Sequence, residues 1–316
     1  MAYRILVITY SQTGQTNAIA EALLKGFGND CEFTYVQLEP EKAYPFPWNG
    51  RAFFDAMPET VLEIPLALKP VNLDPEQKFD LVLLGWQPWF LSVNRPILSF
   101  MRSETGRRIL HNTPVLSFLG CRNMWVSANE KMKRYLAEAG AQHIGQIAMV
   151  NHSPNLVSLI TILAWMLKGI KKNFMGIFPS GGIDENYYHK SPAMGSAVYR
   201  ALKQGCWDGL QEELLSLGAM HIKPKLILME KTGSQRFIFF AKWIAAKGAE
   251  GAQSRVPRVV FFSWFLPFMI VLLTPLITIA RPLQILFKRR QLQREAAYLV
   301  RLPYERGRFH PKDKEL

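Results

Sequence analysis

The hydrophobic run Ile5-Leu6-Val7-Ile8, the polar loop Ser11-Gln12-Thr13-Gly14-Gln15-Thr16 and a helical pattern from Ala18 to Phe27 follow one another almost without a gap. A buried parallel strand that ends in a tight loop and feeds a helix brings the helix's free N–H groups to one point, where an anion settles. Gly14 permits close backbone approach. The hydroxyls of Ser11, Thr13 and Thr16 can donate to phosphate oxygens, and Thr16 also suits a helix start. The alternative reading of the same residues is an ordinary strand-to-helix turn with polar caps.

The loop has no lysine, as a nucleoside triphosphate loop requires, and it lacks the three spaced glycines of a dinucleotide fingerprint. Backbone and hydroxyl donors alone suit a phosphomonoester without a metal, the terminal phosphate of FMN. Tyr10-Ser11-Gln12-Thr13-Gly14-Gln15-Thr16 resembles the phosphate loop of the flavodoxin-like superfamily, over roughly residues 3–150 and one later helix. The resemblance implies an α/β fold, a doubly wound five-stranded parallel sheet of order 2-1-3-4-5, with FMN at the carboxyl edge of its strands.

A chain of 316 residues exceeds one such unit, and the surplus is chemically distinct. Residues 1–218 carry 20 Lys and Arg against 19 Asp and Glu, whereas 219–316 carry 18 against 6. We therefore expect a flavodoxin-like domain over 1–218, with insertions at 40–78 and 153–190, and a basic helical extension over 219–316. Val259–Ala280 is a run of 22 residues without a charge, flanked by Arg255 and Arg258 on one side and Arg281, Lys288, Arg289 and Arg290 on the other. Its length reaches a bilayer span, yet Pro267 and Pro275 lie inside it and both flanks are basic. A monotopic, re-entrant hairpin is preferred over a single span. Nucleic acid is not expected, because the aromatics here form an apolar block and are not interleaved with the basic residues. Cys31, Cys121 and Cys206 have neither disulfide nor metal spacing, and no metal site is expected. With no leader pattern at the N-terminus, the globular part is assigned to the cytoplasmic face of the inner (plasma) membrane.

Cys31 to Leu38 reads as the second strand, and the proline-rich stretch 40–78 as a hydrophobic cover over the flavin edge or a passive flap, with Trp48, Phe53 and Phe54 as substrate lid. Phe79 to Gly85 is a buried strand, and the exit loop Trp86-Gln87-Pro88-Trp89-Phe90 is the first ring-contacting loop that the resemblance implies. Trp86, Trp89 and Phe90 are each either ring contacts or core fillers. Pro96 to Met101 starts a helix that Gly106 ends, and Pro114 to Gly120 forms the fourth strand. Its exit, Gly120, Cys121, Asn123 and Trp125, corresponds to the second ring loop, where Arg122 places a cation beside reduced flavin or serves as a surface ion-pair partner. His143 to Val150 is the fifth strand and delivers His152 to the same edge as the acid–base candidate. Leu156 to Leu167 is an inserted apolar helix, lying on the membrane, packing on the tail or filling the core. Tyr188 is a further lid residue, and Met194 to Leu217 the last helix of the domain.

A flavodoxin-like unit with an aromatic insertion after the second strand, extended to about 300 residues, also resembles proteins encoded beside ketosynthases in dialkylresorcinol and aryl-polyene pathways. That resemblance implies oxidative aromatisation of a cyclohexanedione, with His152 as base and Arg122 stabilising the enolate or reduced flavin. A hydrophobic alkylated substrate, a ketosynthase partner and a homodimer accompany this reading. Its rivals are an NAD(P)H-dependent quinone or flavin reductase, a flavodoxin-type electron carrier and a non-catalytic membrane-tethered module.

Overall fold

The computed structural model describes residues 2–309, with side chains for all of these except 155, 225 and 273–286. In chain order its elements are β1 (Tyr3–Thr9), α1 (Gln15–Leu24), β2 (Cys31–Gln37), α2 (Gly50–Asp55), α3 (Met57–Val61), β3 (Leu81–Trp86), β4 (Pro88–Trp89), β5 (Ser92–Val93), α4 (Arg95–Arg102), α5 (Glu104–Leu110), β6 (Pro114–Cys121) and α6 (Val126–Glu138). There follow β7 (Gln142–Val150), α7 (Asn155–Lys168), α8 (Asn186–Gln204), α9 (Leu210–Ser216), α10 (Pro224–Ala245) and α11 (Val256–Leu299). Five parallel strands line up as β2-β1-β3-β6-β7, the doubly wound order expected of a flavodoxin-like sheet.

The strands read as their burial requires. β3 is buried along its whole length and is wholly apolar, as a central parallel strand with helices on both faces must be. Trp86 is its last residue and is fully buried, so it belongs to the core and not to the ring contacts. Gly106 likewise corrects the sequence reading. It does not end a helix but lies within α5, where a Cβ would meet Phe100 O at 1.9 Å, so glycine is what lets α4 and α5 pack in succession. The last helix of the expected domain divides into α8 and α9, with Gly205 and Gly209 in the left-handed region between them.

Stretch 40–78 contributes α2 and α3, which share a small core with the C-terminal extension. Phe54, Met57 and Val61 pack there with Ala241, Ile244, Val259 and Phe262. Arg255 fastens the two parts together. Fully buried, it donates from Nε to Asp55 Oδ1 (2.6 Å) and from Nη1 and Nη2 to the Glu59 carboxylate (2.5 and 3.0 Å). It also donates to the Asp55 and Gly248 carbonyls. The extension reaches the main core as well: Leu292, Tyr298 and Leu299 are buried there, and Tyr298 OH donates to Glu130 Oε2 at 2.7 Å.

Contacts with α10 fix the path of α11. Near its start Phe262 packs on Phe240 and Phe237 (ring centroids 5.0 and 6.1 Å), and near its end Glu295 pairs with Lys231 at 3.1 Å. Lys231 and Phe240 lie about 14 Å apart along α10, whereas a straight helix would separate Phe262 from Glu295 by about 50 Å. The path therefore turns back between these two residues, a stretch whose sequence carries Pro267, Pro275 and Pro282, each of which removes a helical hydrogen bond. Overlapping its start, Gln253–Leu272 is long and apolar enough to cross a membrane, with a mean hydropathy of 1.6 and 17% of its most apolar window buried.

Arg255→Met leaves Asp55 and Glu59 buried without a counter-charge and is expected to lower the unfolding free energy by about 3–5 kcal/mol. Denaturant unfolding of the purified protein measures this.

Candidate functional site

Gly14 caps α1 in the left-handed region (φ +79°), and nothing lies within 4 Å of where its Cβ would stand. A side chain is thus disfavoured by the backbone, and the space above the loop is open. Ser11 Oγ accepts from Thr16 N–H (3.1 Å), and Thr16 Oγ1 accepts from Gln87 Nε2 (2.9 Å). A hydroxyl held as an acceptor keeps its proton for a further partner, so both groups are set as donors. Among the described residues, the N–H groups of Thr13, Gly14 and Gln15 meet no acceptor. The donor set is neutral, convergent and open on one side, as a phosphomonoester needs.

Beside the loop stands a box of four aromatic rings. Trp89 meets Tyr10, Tyr44 and Trp48 edge-on at 5.7, 5.2 and 5.6 Å, and Tyr44 lies on Trp48 at 4.8 Å. The insertion reaches the loop through Gln12, whose Nε2 donates to the Pro45 carbonyl (3.0 Å) and whose Oε1 accepts from Tyr10 OH. The buried Trp48 Nε1–H has no partner among the described residues. A planar heterocycle with a polar edge would satisfy it and would enter by parting these rings. Trp48 thus stands at the expected site. Phe53 backs the box, packing on Trp48 (5.7 Å) and Phe90 (4.8 Å), whereas Phe54 packs on Phe262 (5.9 Å) of the extension.

The first ring loop is a hairpin, β4 paired antiparallel with β5, whose two turn residues Phe90 and Leu91 both have positive φ (49° and 60°). Bulky residues disfavour this turn, which suits Asn-Gly, so tertiary packing must hold it. Phe90 lies between Phe53 and Phe237 of α10, and a Cβ on Gly233 of α10 would meet Leu91 at 3.2 Å. Pro88 stays half-buried at the base, and Gln87 bridges to Thr16.

The second ring loop is also held from α10. The fully buried Glu230 accepts from Trp125 N–H (3.1 Å) and Ser127 N–H (2.9 Å) at the N-terminus of α6, where the helix dipole favours an anion. Burial nevertheless dominates and raises the Glu230 carboxyl to about 8, against the N–H groups and Arg122 that lower it. Arg122 is itself brought down by burial to about 10, with Cys121 and Glu230 opposing, and its Nη2 lies 3.6 Å from Met124 Sδ. Cys121, Asn123 and Trp125 are buried. Above Gly120, a Cβ would meet Gln15 Nε2 at 2.8 Å, and Gln15 Oε1 accepts from Ile183 N–H at 2.9 Å. Helix α7 covers this strip. Its C-terminal half packs on the main core through Met166 and Leu167, Trp165 packs over Gly182, and the Met166 carbonyl accepts from Trp48 N–H (2.8 Å).

His152 leaves the end of β7 and is half-exposed, its Nδ1 3.5 Å from Asp184 Oδ2 and its ring stacked on Tyr187 at 5.7 Å. It stands on the flank of the site, near Arg122 through the backbone, since Asn151 N–H donates to the Arg122 carbonyl at 2.9 Å. Tyr188 lines a separate cavity of about 210 Å³ with Lys171, Ser180 and His189. Sequence reading missed Tyr10, Tyr44 and Arg95. Arg95 is buried, donates to Tyr44 OH (3.0 Å) and pairs with Glu250. The signal lay in the sequence as a tyrosine beside the loop and an arginine after a buried hairpin, but the partner residues are far apart in the chain.

No family model matches the chain, and no curated protein matches it in sequence. Among solved structures it is similar to a flavoprotein in complex with FMN from Lactobacillus acidophilus NCFM, at 16% identity and a TM-score of 0.37, over 47% of this chain and 93% of that one. It is also similar to a flavodoxin from the domain Archaea, at 12% identity and a TM-score of 0.35, over 63% of this chain and 99% of that one. A flavoprotein from Bacteroides uniformis ATCC 8492 gives 18% identity and a TM-score of 0.36, over 54% of this chain and 100% of that one. The strand order β2-β1-β3-β6-β7 and the loop after β1 carry the flavodoxin-like fold.

Folded Glu230 titrates near 8 against an ordinary value of 4.5, so unfolding releases a proton between these two values and stability falls as pH rises through that window. Glu230→Gln keeps an acceptor for the N–H groups but cannot ionise. Melting temperatures across the window are expected to lose this slope in the variant.

Proposed function

We propose that this chain is a membrane-seated, FMN-dependent oxidoreductase acting on a hydrophobic, alkylated substrate. One observation carries the reading: an open, cation-free anion cradle at the end of β1, with its hydroxyls already held as donors, beside an aromatic box with an unpartnered indole N–H. Ser11, Thr13, Thr16 and the N–H groups of Thr13 to Gln15 would hold the phosphate of FMN, and Trp48, Trp89 and Tyr44 would cover its ring and exclude water. Bound oxidised FMN supplies a two-electron acceptor for hydride.

The finer form of the proposal is oxidative aromatisation of an alkylated cyclohexanedione to a dialkylresorcinol, the reaction implied by the sequence resemblance. His152, with Asp184 facing its Nδ1, keeps Nε2 for the acidic proton beside the carbonyl. Arg122, desolvated on the second ring loop, would stabilise negative charge as it develops. The covered site favours this reading over an electron carrier, which needs an exposed cofactor edge for a protein partner.

The membrane part rests on α11. Trp264, Phe268 and Val271 are 78%, 63% and 66% exposed and fall at i, i+4 and i+7 along one face. Both ends of α11 return to the same globular body, which suits monotopic seating at a cytoplasmic membrane face better than a crossing.

FMN added to the detergent-extracted protein is expected to bind with quenched fluorescence. In Ser11→Ala/Thr13→Val the Kd is expected to rise at least tenfold, since each hydrogen bond to a charged group contributes about 1.5–3 kcal/mol. Failure of the native protein to hold FMN would overturn the proposal. With FMN bound, an alkylated cyclohexanedione added without air is expected to bleach the flavin band, and bleaching by NADPH alone would make the protein a reductase instead.

A further inference from the structure

Residues 169–181 form a compact loop closed at its neck, where the Lys171 carbonyl accepts from Gly181 N–H at 2.7 Å. Phe174 and Phe178 pair inside it (5.9 Å), while Met175 and Ile177 between them are 71% and 79% exposed, and Ile170 at the neck 40%. Asn173 and Met175 both have positive φ (52° and 53°), a costly conformation for non-glycine residues, so the ordered loop presents Met175 outward at a price in backbone energy. Three lysines flank the loop. Lys168 lies over Phe174 (5.5 Å), Lys171 at the neck lies over Trp165 (4.9 Å), and Lys172, 67% exposed, pairs with the exposed Glu185 at 3.6 Å.

We propose that this loop is a second membrane-contact element, inserting Met175 and Ile177 among the headgroups of an anionic leaflet. The proposal rests on the membrane seating argued above and extends it to a part of the chain more than eighty residues from α11. An apolar tip flanked by lysines is complementary in charge to anionic lipid, and near such a surface each lysine contributes about 1 kcal/mol. A protein partner is a poorer occupant, because two or three projecting side chains fall far short of the roughly 800 Å² per side of a stable interface. A line of packed residues joins the loop to the start of α11 through the interior. A Cβ on Gly169 would meet Pro47 at 3.1 Å, Trp48 packs on Phe53 (5.7 Å), Phe53 on Phe54 (5.1 Å) and Phe54 on Phe262 (5.9 Å). The aromatic box lies along that line, so contacts at its two ends would hold the box beside the lipid that carries the substrate.

The test uses the full chain carrying Cys206→Ser, with an environment-sensitive fluorophore on Met175→Cys or, separately, on Phe268→Cys of α11. The detergent-extracted protein is transferred to vesicles of phosphatidylcholine with or without about a third phosphatidylglycerol, some with brominated acyl chains. The label at 175 is expected to shift to the blue and to be quenched by brominated lipid in the anionic vesicles. Lys171→Gln with Lys172→Gln is expected to weaken that response about fivefold for each positive charge removed. A label at 175 that stays in water while the label at 268 enters lipid would overturn the loop proposal and leave the seating of α11 intact. Labels at both positions in water would overturn the seating and this proposal together.

Discussion

A charge removed from water must find a partner within the protein, and that constraint ties the C-terminal extension to the site. Arg255 is spent on Asp55 and Glu59, and Arg95 on Glu250, while Glu230, which burial pushes up to about 8, is held by the N–H groups at the N-terminus of α6. Each pairing joins the extension to a different part of the α/β unit: the insertion, the helix after the first ring loop, and the second ring loop. The extension is therefore built into the walls of the site. Glu63 shows the same logic from the insertion: burial pushes its carboxyl up, but Lys131 and Arg134 outweigh this and hold it at about 2.

The insertion consequently acts as two things. Its first part, from Tyr44 to Trp48, lies against the phosphate loop and completes the aromatic box. Its second part, α2 and α3, is a strut between the sheet and α10. A freely closing lid would need a hinge with few buried contacts, whereas Phe53 and Phe54 are held by Phe90 and Phe262.

Local pattern made much of this legible. Ile5 to Ile8 and Leu81 to Leu84 could only be buried strands, and the donors of Ser11 to Thr16 stand where the helix start requires. Trp86 and Trp89 look alike in sequence, yet alternation at the strand end buries one in the core and turns the other to the box. Gly106 was read as a stop because local rules see a missing side chain as freedom, while here it makes room for a neighbouring carbonyl. Phe90-Leu91 breaks the sequence rule for a hairpin turn, so no local signal could reveal β4 and β5.

The sequence by itself determined the buried strands, the polar loop after β1 and the apolar character of the tail, because each is written in a run of about twenty residues, whereas the strand order, which sets Ile5 beside Leu81, entered only through the family resemblance. Only the tertiary structure decided where α11 rejoins the body, that α10 clamps both ring loops, and that Tyr44, Trp48, Trp89 and Tyr10 meet in one box. Those outcomes depend on partners such as Arg255 with Asp55, two hundred residues apart. Whether such groups meet is set by the packing of whole elements and the need to neutralise buried charge, which no local spacing encodes.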